Sequence, residues 1–480
     1  MNIAKMLGCT KYSSLLMVLT ALCSIASAQI SGDNAVWTSA TNVGASNSFI
    51  DASVLSGADI CAKLYTALGN LSSATNYPAG AAVIDARGIT SGSAMTCASG
   101  TTPWYNGSAF ISNSAVILLP PGTIAINTTW LLPSRTQIIG EGAGGNGTSV
   151  TTLQAASTLS GAMIQMGATT ATQGYTCPSS ICVGIGVQDL RLDGNASTVT
   201  VNGIVNDSSQ ELTYVNRVDL YNIKGIGLLV GNTTGGIASG VSGNSKAQNS
   251  GPYSNLKFEN TTSTNVASTT ICVQILGAPT RGVHGLTCDS TAGADAGVVL
   301  DASNNSIEDV SITGFVDGIV IGANSDGANI TEDSDVLLNI SGSPGTNLIH
   351  ICKPGETGTT NCSSNTSGGQ YVADLSILGA YDLASTTNTI LDDETTTTLS
   401  AGSSNDPHVG AYILGRQVTI GSVTAWSRFS TSAHIPTWFV GNGTISGTCG
   451  TKGALYSNTG STATSLATTV YACTGSWTGL

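Results

Sequence analysis

One short phrase recurs in this chain and constrains its fold more than any other feature. It reads Val187-Gln-Asp-Leu-Arg-Leu-Asp-Gly, then Val215-Asn-Arg-Val-Asp-Leu-Tyr-Asn, then Tyr253-Ser-Asn-Leu-Lys-Phe-Glu-Asn, then Ile307-Glu-Asp-Val-Ser-Ile-Thr-Gly. Apolar and polar residues alternate in each copy, which is the period of a strand with one buried face. No helical segment separates the copies. Strands repeated this way read as a coil of parallel strands, an all-β solenoid.

Composition agrees. The 480 residues suffice for a large core, and only 9% of them are charged. The 59 glycines, with abundant Ser, Thr and Asn, mark many turns. A helical globular protein would hold more Lys, Glu and Leu. Disorder is opposed by the recurrence of Val, Ile and Leu at period two.

Residues 1–28 read as a secretory leader. Lys5 and Lys11 give a positive start, Leu15 to Ala26 is apolar, and Ala26-Ser27-Ala28 is an A-x-A cleavage site. Leu22 is a poor residue before a lipidated Cys23, so cleavage after Ala28 is expected rather than a lipid anchor. No later apolar run reaches membrane length, so no membrane insertion is expected after cleavage. The formal charge is −13, and the leader holds two Lys and no acid, leaving −15 on the mature chain. That balance argues against nucleic acid or anionic lipid as a partner. A polyanionic glycan would need a bridging cation or a local basic patch.

Ten cysteines remain after cleavage. An even number in an exported chain implies disulfides. Sequential pairing gives Cys61–Cys97, Cys177–Cys182, Cys272–Cys288, Cys352–Cys362 and Cys449–Cys473. The strand register turns Cys288 inward. A metal site is opposed by the lack of any C-x-x-C and by only four His residues, well separated.

Four regions follow: the leader, a preamble and cap over 29–115, a parallel β-helix over 116–425, and a small disulfide-closed β module over 426–480. Gly57 to Leu71 places Ile60, Leu64, Ala67, Leu68 and Leu71 on one helical face, with Asp59 near its start. A coil of strands needs its first rung covered, and this helix would do it. Thr386 to Pro407 reads as a loop. The last region holds Trp426, Trp438 and Trp477 and serves either as a C-terminal cap or as a glycan- or partner-binding module.

After the helix come Ala82-Val-Ile-Asp-Ala-Arg-Gly, Val116-Ile-Leu-Leu-Pro-Pro-Gly, Leu132-Pro-Ser-Arg-Thr-Gln-Ile-Ile-Gly-Glu-Gly and Thr152-Leu-Gln. This series resembles the opening of the pectate lyase superfamily, which are right-handed parallel β-helices. The resemblance covers roughly residues 52–420 and implies a fold and a polysaccharide-related role, with no reaction attached. The family's catalytic motifs do not carry over. R-x-P-x-x-R and W-x-D-H are missing, and His284-Gly285 precedes Asp392-Asp393, contrary to the polygalacturonase order. His284 reads as a turn residue, Asp392-Asp393-Glu394 as a solvated acidic turn, and Asp301, Asp309 and Asp317 as turn and strand-end residues.

The chemistry is best sought on the outward positions of the repeats. Stacking them gives three columns: Asp189–Arg217–Asn255, Arg191–Asp219–Lys257 and Asp193–Tyr221–Glu259. Seven charges in three short strands is a concentration for a chain so poor in charge. One reading is a structural ladder of opposite charges. Another is a saccharide cleft, with Asp193, Asp219, Glu259, Arg217 and Lys257 as candidate catalytic groups and Asp189, Arg191 and Tyr221 as ligand contacts. Asp193 and Asp219 would stand about 8 Å apart by strand geometry. That lies within the roughly 6.5–9.5 Å of an inverting glycosidase pair. Alternatively Asp189, Asp193 and Asp219 would hold Ca2+ for a lyase. Arg217 or Lys257 would then act as base, which requires a lowered pKa. The expectation is a secreted β-helix that acts on or binds polysaccharide or a cell-surface glycan. The alternative is a non-catalytic adhesin, glycan binder or tail-spike-like fibre.

Overall fold

The structure is a computed structural model. It describes residues 49–73, 82–90, 92–144, 149–195, 200–231, 247, 249–276, 280–301, 305–321 and 336–351, with short strands beyond these. The expected leader, the Cys352–Cys362 pair and Cys449 lie outside the described residues. The described residues all belong to one compact unit.

The chain opens with β1 (Phe49–Asp51) and then α1 (Ile60–Ser73). The helix starts three residues after Gly57. Asp59 accounts for that start: its Oδ1 accepts from Ala62 N at 2.9 Å, satisfying a donor the first turn leaves bare. All five residues of the expected apolar face are buried, with Cys61 beside them.

β2 (Val83–Asp85), β3 (Val116–Leu118), β4 (Gly122–Ile126), β5 (Trp130–Leu132), β6 (Gln137–Ile139), β7 (Thr151–Ala155) and β8 (Gly161–Met166) form the first coils. Leu119-Pro120-Pro121 turns the corner between β3 and β4. β9 (Gly186–Asp193), β10 (Val201–Asn206), β11 (Tyr214–Tyr221), β12 (Ile226–Val230), β13 (Tyr253–Asn260) and β14 (Ile271–Leu276) continue the winding. β15 (Val283–Asp301), β16 (Ser306–Ile321), β17 (Val336–Ser343), β18 (Asn347–Ile351), β19 (Leu375–Asp382), β20 (Thr389–Asp393) and β21 (Val409–Tyr412) extend it. Asp392 and Asp393 therefore stand on a strand, contrary to the loop expected over 386–407.

Every pairing among these strands is parallel. One column runs β1–β2–β3–β6–β9–β11–β13 and on through the first half of β15, the first half of β16, β17, β19 and β21. A facing column runs β5–β8–β10–β12–β14, then the second halves of β15 and β16, then β18 and β20. β4 and β7 start a third column that joins the second half of β9. Unclosed stacked parallel columns of this kind make a parallel β-helix, with pairing already present at Phe49.

The fusion at β9 explains the phrase. Asp189, Arg217, Asn255, Gly285, Asp309 and Asn339 occupy the same register position, and each has φ between 52° and 67°. A left-handed residue bends the strand, so one long strand serves two short columns. Asn, Asp and Gly adopt that conformation most readily, and five of the six are of these types. The bend also shifts the alternation. Val187, Leu190 and Leu192 all point into the core, as do Val215, Val218 and Leu220.

Inside the coil, large residues of the first column meet glycines of the facing one. A Cβ at Gly227 would lie 2.6 Å from Phe258, one at Gly203 2.9 Å from Leu220, and one at Gly297 2.5 Å from Ile312. In the remaining rung the pair is Cys288 and Cys272, joined as a disulfide across the core. The inward turn of Cys288 is thus what makes its bond. Cys61–Cys97 and Cys177–Cys182 also form.

Downstream, β22 (Val418–Ile420) and β23 (Val423–Ala425) pair as a hairpin. β24 (Ser427–Arg428), β25 (Trp438–Gly441), β26 (Leu455–Asn458), β27 (Val470–Cys473) and β28 (Trp477–Gly479) form a separate, mostly antiparallel sheet.

Candidate functional site

The two long faces of the coil differ on their outer sides. On the facing column Leu229, Val299 and Val320 are buried outside as well as in, as parts of satellite apolar clusters. On the first column the outward side is polar. Its register brings the sequence-predicted residues together: Asp219 pairs with Arg191 below and Lys257 above, and Tyr221 with Asp193 below and Glu259 above. Asp193 and Asp219 stand one rung and two residues apart, as expected.

The columns continue in both directions with residues that the four copies did not include. Thr152 and Gln154 of β7 lie below Arg191 and Asp193. Thr287 and Asp289 of β15, then Ser311 and Thr313 of β16, lie above Lys257 and Glu259. The signal was present in Val283-His-Gly-Leu-Thr-Cys-Asp, a copy of the phrase with Gly at the bend and Cys in place of Leu. His284 accordingly sits on a strand rather than in a turn. Its ring lies 3.2 Å from Glu308 of the next rung and 3.0 Å from the Arg281 carbonyl.

Each of the seven charges predicted for this face has a partner. Arg191 donates from Nε and Nη2 to Asp219 Oδ2, both at 2.7 Å, and its guanidinium lies 4.3 Å above the Tyr221 ring centre. Arg217 holds both Asp189 oxygens, at 2.5 and 2.6 Å. Lys257 pairs with Glu259 on its own strand. Asp193 accepts from Gln154 Nε2 and from the Asn195 amide, both at 2.9 Å.

Burial separates these pairs. Arg217 is exposed and Lys257 half-exposed. Arg191 and Asp219 are outward but sealed, at 6% and 1% exposure. Sequence alternation places them correctly on the outer face and is silent on what covers that face. Asp219 Oδ1 is buried with no hydrogen-bond partner. Burial pushes the Asp219 carboxyl above the ordinary carboxylate range, and the Arg191 hydrogen bond offsets this only in part.

The candidate bases shift the wrong way for that role. The hydrogen bond to Glu259 raises the Lys257 pKa, and the one to Asp189 raises that of Arg217. A lyase base needs the opposite. Asp189, Asp193 and Asp219 each serve a different partner, and among the described residues no three His, Cys, Asp or Glu side chains converge on a metal position. These three carboxylates do not fit a Ca2+ site.

Two buried polar clusters stand apart from this face, and Asp309 and Asp317, expected at turns or strand ends, both lie inside β16. Asp317 Oδ2 lies 3.2 Å from His350 Nδ1 in the facing column. Tyr253 donates to Ser250 and accepts from Asn206, and burial pushes its phenol up to about 12.

The molecule is a parallel β-helix with one polar lateral face. The chain matches no protein-family model and no curated protein. Among solved structures it is similar to the A-module of mannuronan C-5 epimerase AlgE4 of Azotobacter vinelandii, at 11% identity and a TM-score of 0.26, over 58% of this chain and 83% of that one. It is also similar to ORF18 of Geobacillus virus E2, at 9% identity and a TM-score of 0.31, over 78% of this chain and 58% of that one. Likenesses this distant carry no argument, and the fold rests on the strand pairing itself. The three disulfides belong to an oxidising compartment. Among the described residues no helix is long and apolar enough to cross a membrane.

Proposed function

We propose that this is an exported β-helix protein of the pectate-lyase-like kind that binds polysaccharide along the outer face of β9 to β17. One arrangement carries the reading. Lys257 and Thr287 stack in one column and Glu259, Asp289 and Thr313 in the next, both running along the coil axis on strands about 4.8 Å apart. Strands hold such columns more rigidly than loops, which suits an extended chain of hydroxyl-bearing units. Binding without turnover is favoured because Asp219 is sealed and both candidate bases are ion-paired.

A second reading, hydrolysis, is favoured by the upward shift of Asp219, which suits a general acid opposite an Asp193 base. A glycan panel, with and without Ca2+, decides between them. The purified protein should be retained on at least one polysaccharide and release no product from it. If it does cleave one, Asp219→Asn and Asp193→Asn should each lower turnover about a hundredfold or more with the fold intact. Full turnover in both variants would remove this face as the active site.

A further inference from the structure

We infer that the glycan taken by this face is an uncharged one, and that polyuronates are excluded. The inference rests on the polysaccharide-binding reading and specifies its substrate class.

The outward positions from β9 to β17 carry seven carboxylates: Asp189, Asp193, Asp219, Glu259, Asp289, Glu308 and Asp309. They carry three cations, Arg191, Arg217 and Lys257, and each of these is bound to a carboxylate of the face. From Val283 to Ser343 the described strands hold no Lys or Arg at all, and His284 stands against Glu308. Every cation of this face already meets a carboxylate of the face, which a ligand carboxylate would have to displace. A uronate chain brings one negative charge per sugar, and like charges set side by side oppose binding.

Hydrogen-bond roles point the same way. Ionised carboxylates only accept, so a face rich in them asks for donors. Sugar hydroxyls are donors, and hydroxyl-to-carboxylate bonds are of the stronger, charge-assisted kind. Thr287, Ser311 and Thr313 supply hydroxyls that both donate and accept along the same columns. A bridging divalent cation is the usual escape for a polyanion, and among the described residues no side-chain cluster is built to hold one.

The test compares hexasaccharides of uncharged sugars (cello-, xylo-, manno- and malto-series) with oligogalacturonate and oligomannuronate, by calorimetric titration, with and without Ca2+. At least one uncharged series should bind tenfold or more tighter than either uronate. Glu259→Gln combined with Asp289→Asn should weaken that binding about tenfold. Tighter uronate binding, or uronate binding that depends on Ca2+, would overturn the charge class while leaving the glycan reading in place. Uncharged binding untouched by the double variant would overturn the placement on this face. No binding in any series would overturn the glycan reading itself.

Discussion

At the scale of single residues, two ion pairs of the same chemistry differ most in burial. Arg217 and Asp189 meet in solvent, where screening and side-chain entropy leave little net gain. Arg191 and Asp219 meet out of water, so deleting one partner strands the other. Arg191→Met should therefore cost about 3–5 kcal/mol at pH 7 in chemical denaturation. Arg217→Met should leave the midpoint essentially unchanged. The first loss should depend on pH, with a sign that follows from Asp219. Its folded pKa is raised, so its contribution is fully present below the unfolded carboxyl value, about 3.9, and is lost as pH rises through the folded value. Removing the guanidinium raises the folded value further. The penalty of Arg191→Met should shrink on acidification towards pH 4, because a protonated Asp219 needs no counterion. A penalty that is flat with pH, or that grows in acid, contradicts the assignment.

At the scale of elements, three rungs pair a large residue with a glycine across the core, and in a fourth the disulfide replaces that pair. Cys272→Gly with Cys288→Leu restores the pattern of Gly203 with Leu220 and Gly227 with Phe258. The double variant should fold and lose about 3 kcal/mol, the loop-closure contribution of a cross-link between residues 16 apart in sequence. Cys272→Leu with Cys288→Leu puts two large side chains into one rung and should lose more, by about 1–3 kcal/mol of overpacking. Equal stabilities would refute the complementarity. The same elements show what was legible in the sequence. The copies starting at Val187, Val215, Tyr253 and Ile307 were readable because Leu, Val or Phe alternates with charge in them. The copies at Val283 and Leu337 were not, because Gly and Cys, or Asn and Gly, stand where the phrase has its markers. Register between copies followed from the phrase alone, so the columns through Asp219 and Tyr221 were correct. The burial of Arg191 and Asp219 was invisible, since alternation tells which side a residue faces and not what lies over that side. The pKa directions of Lys257 and Arg217 depend on which carboxylate each one meets, which no spacing rule supplies.

At the scale of the whole molecule, stability passes from coil to coil. Each strand pairs only with the strands before and after it in its column, so the chain behaves as a row of units coupled to their neighbours. The ends of such a row decide where it begins to open. At the described start, α1 buries Leu64 and Leu68 in the core that also holds Ile84 and Ile117. It is tied down by Cys61–Cys97, by Asp59 Oδ2 accepting from Ala98 N at 3.1 Å, and by Asn113 donating to the Leu68 carbonyl at 2.8 Å. Leu68→Ala removes a fully buried side chain and should cost about 2–5 kcal/mol within the first coils. In a globular core that loss would lower protection everywhere. In a row of coupled coils it should fall with distance from the helix. Amide exchange should therefore speed up most in β1, β2 and β3, less in β6 and β9, and hardly at all in β15 to β17. Uniform loss of protection across these strands would show that the coils open as one cooperative unit and would overturn the nearest-neighbour account.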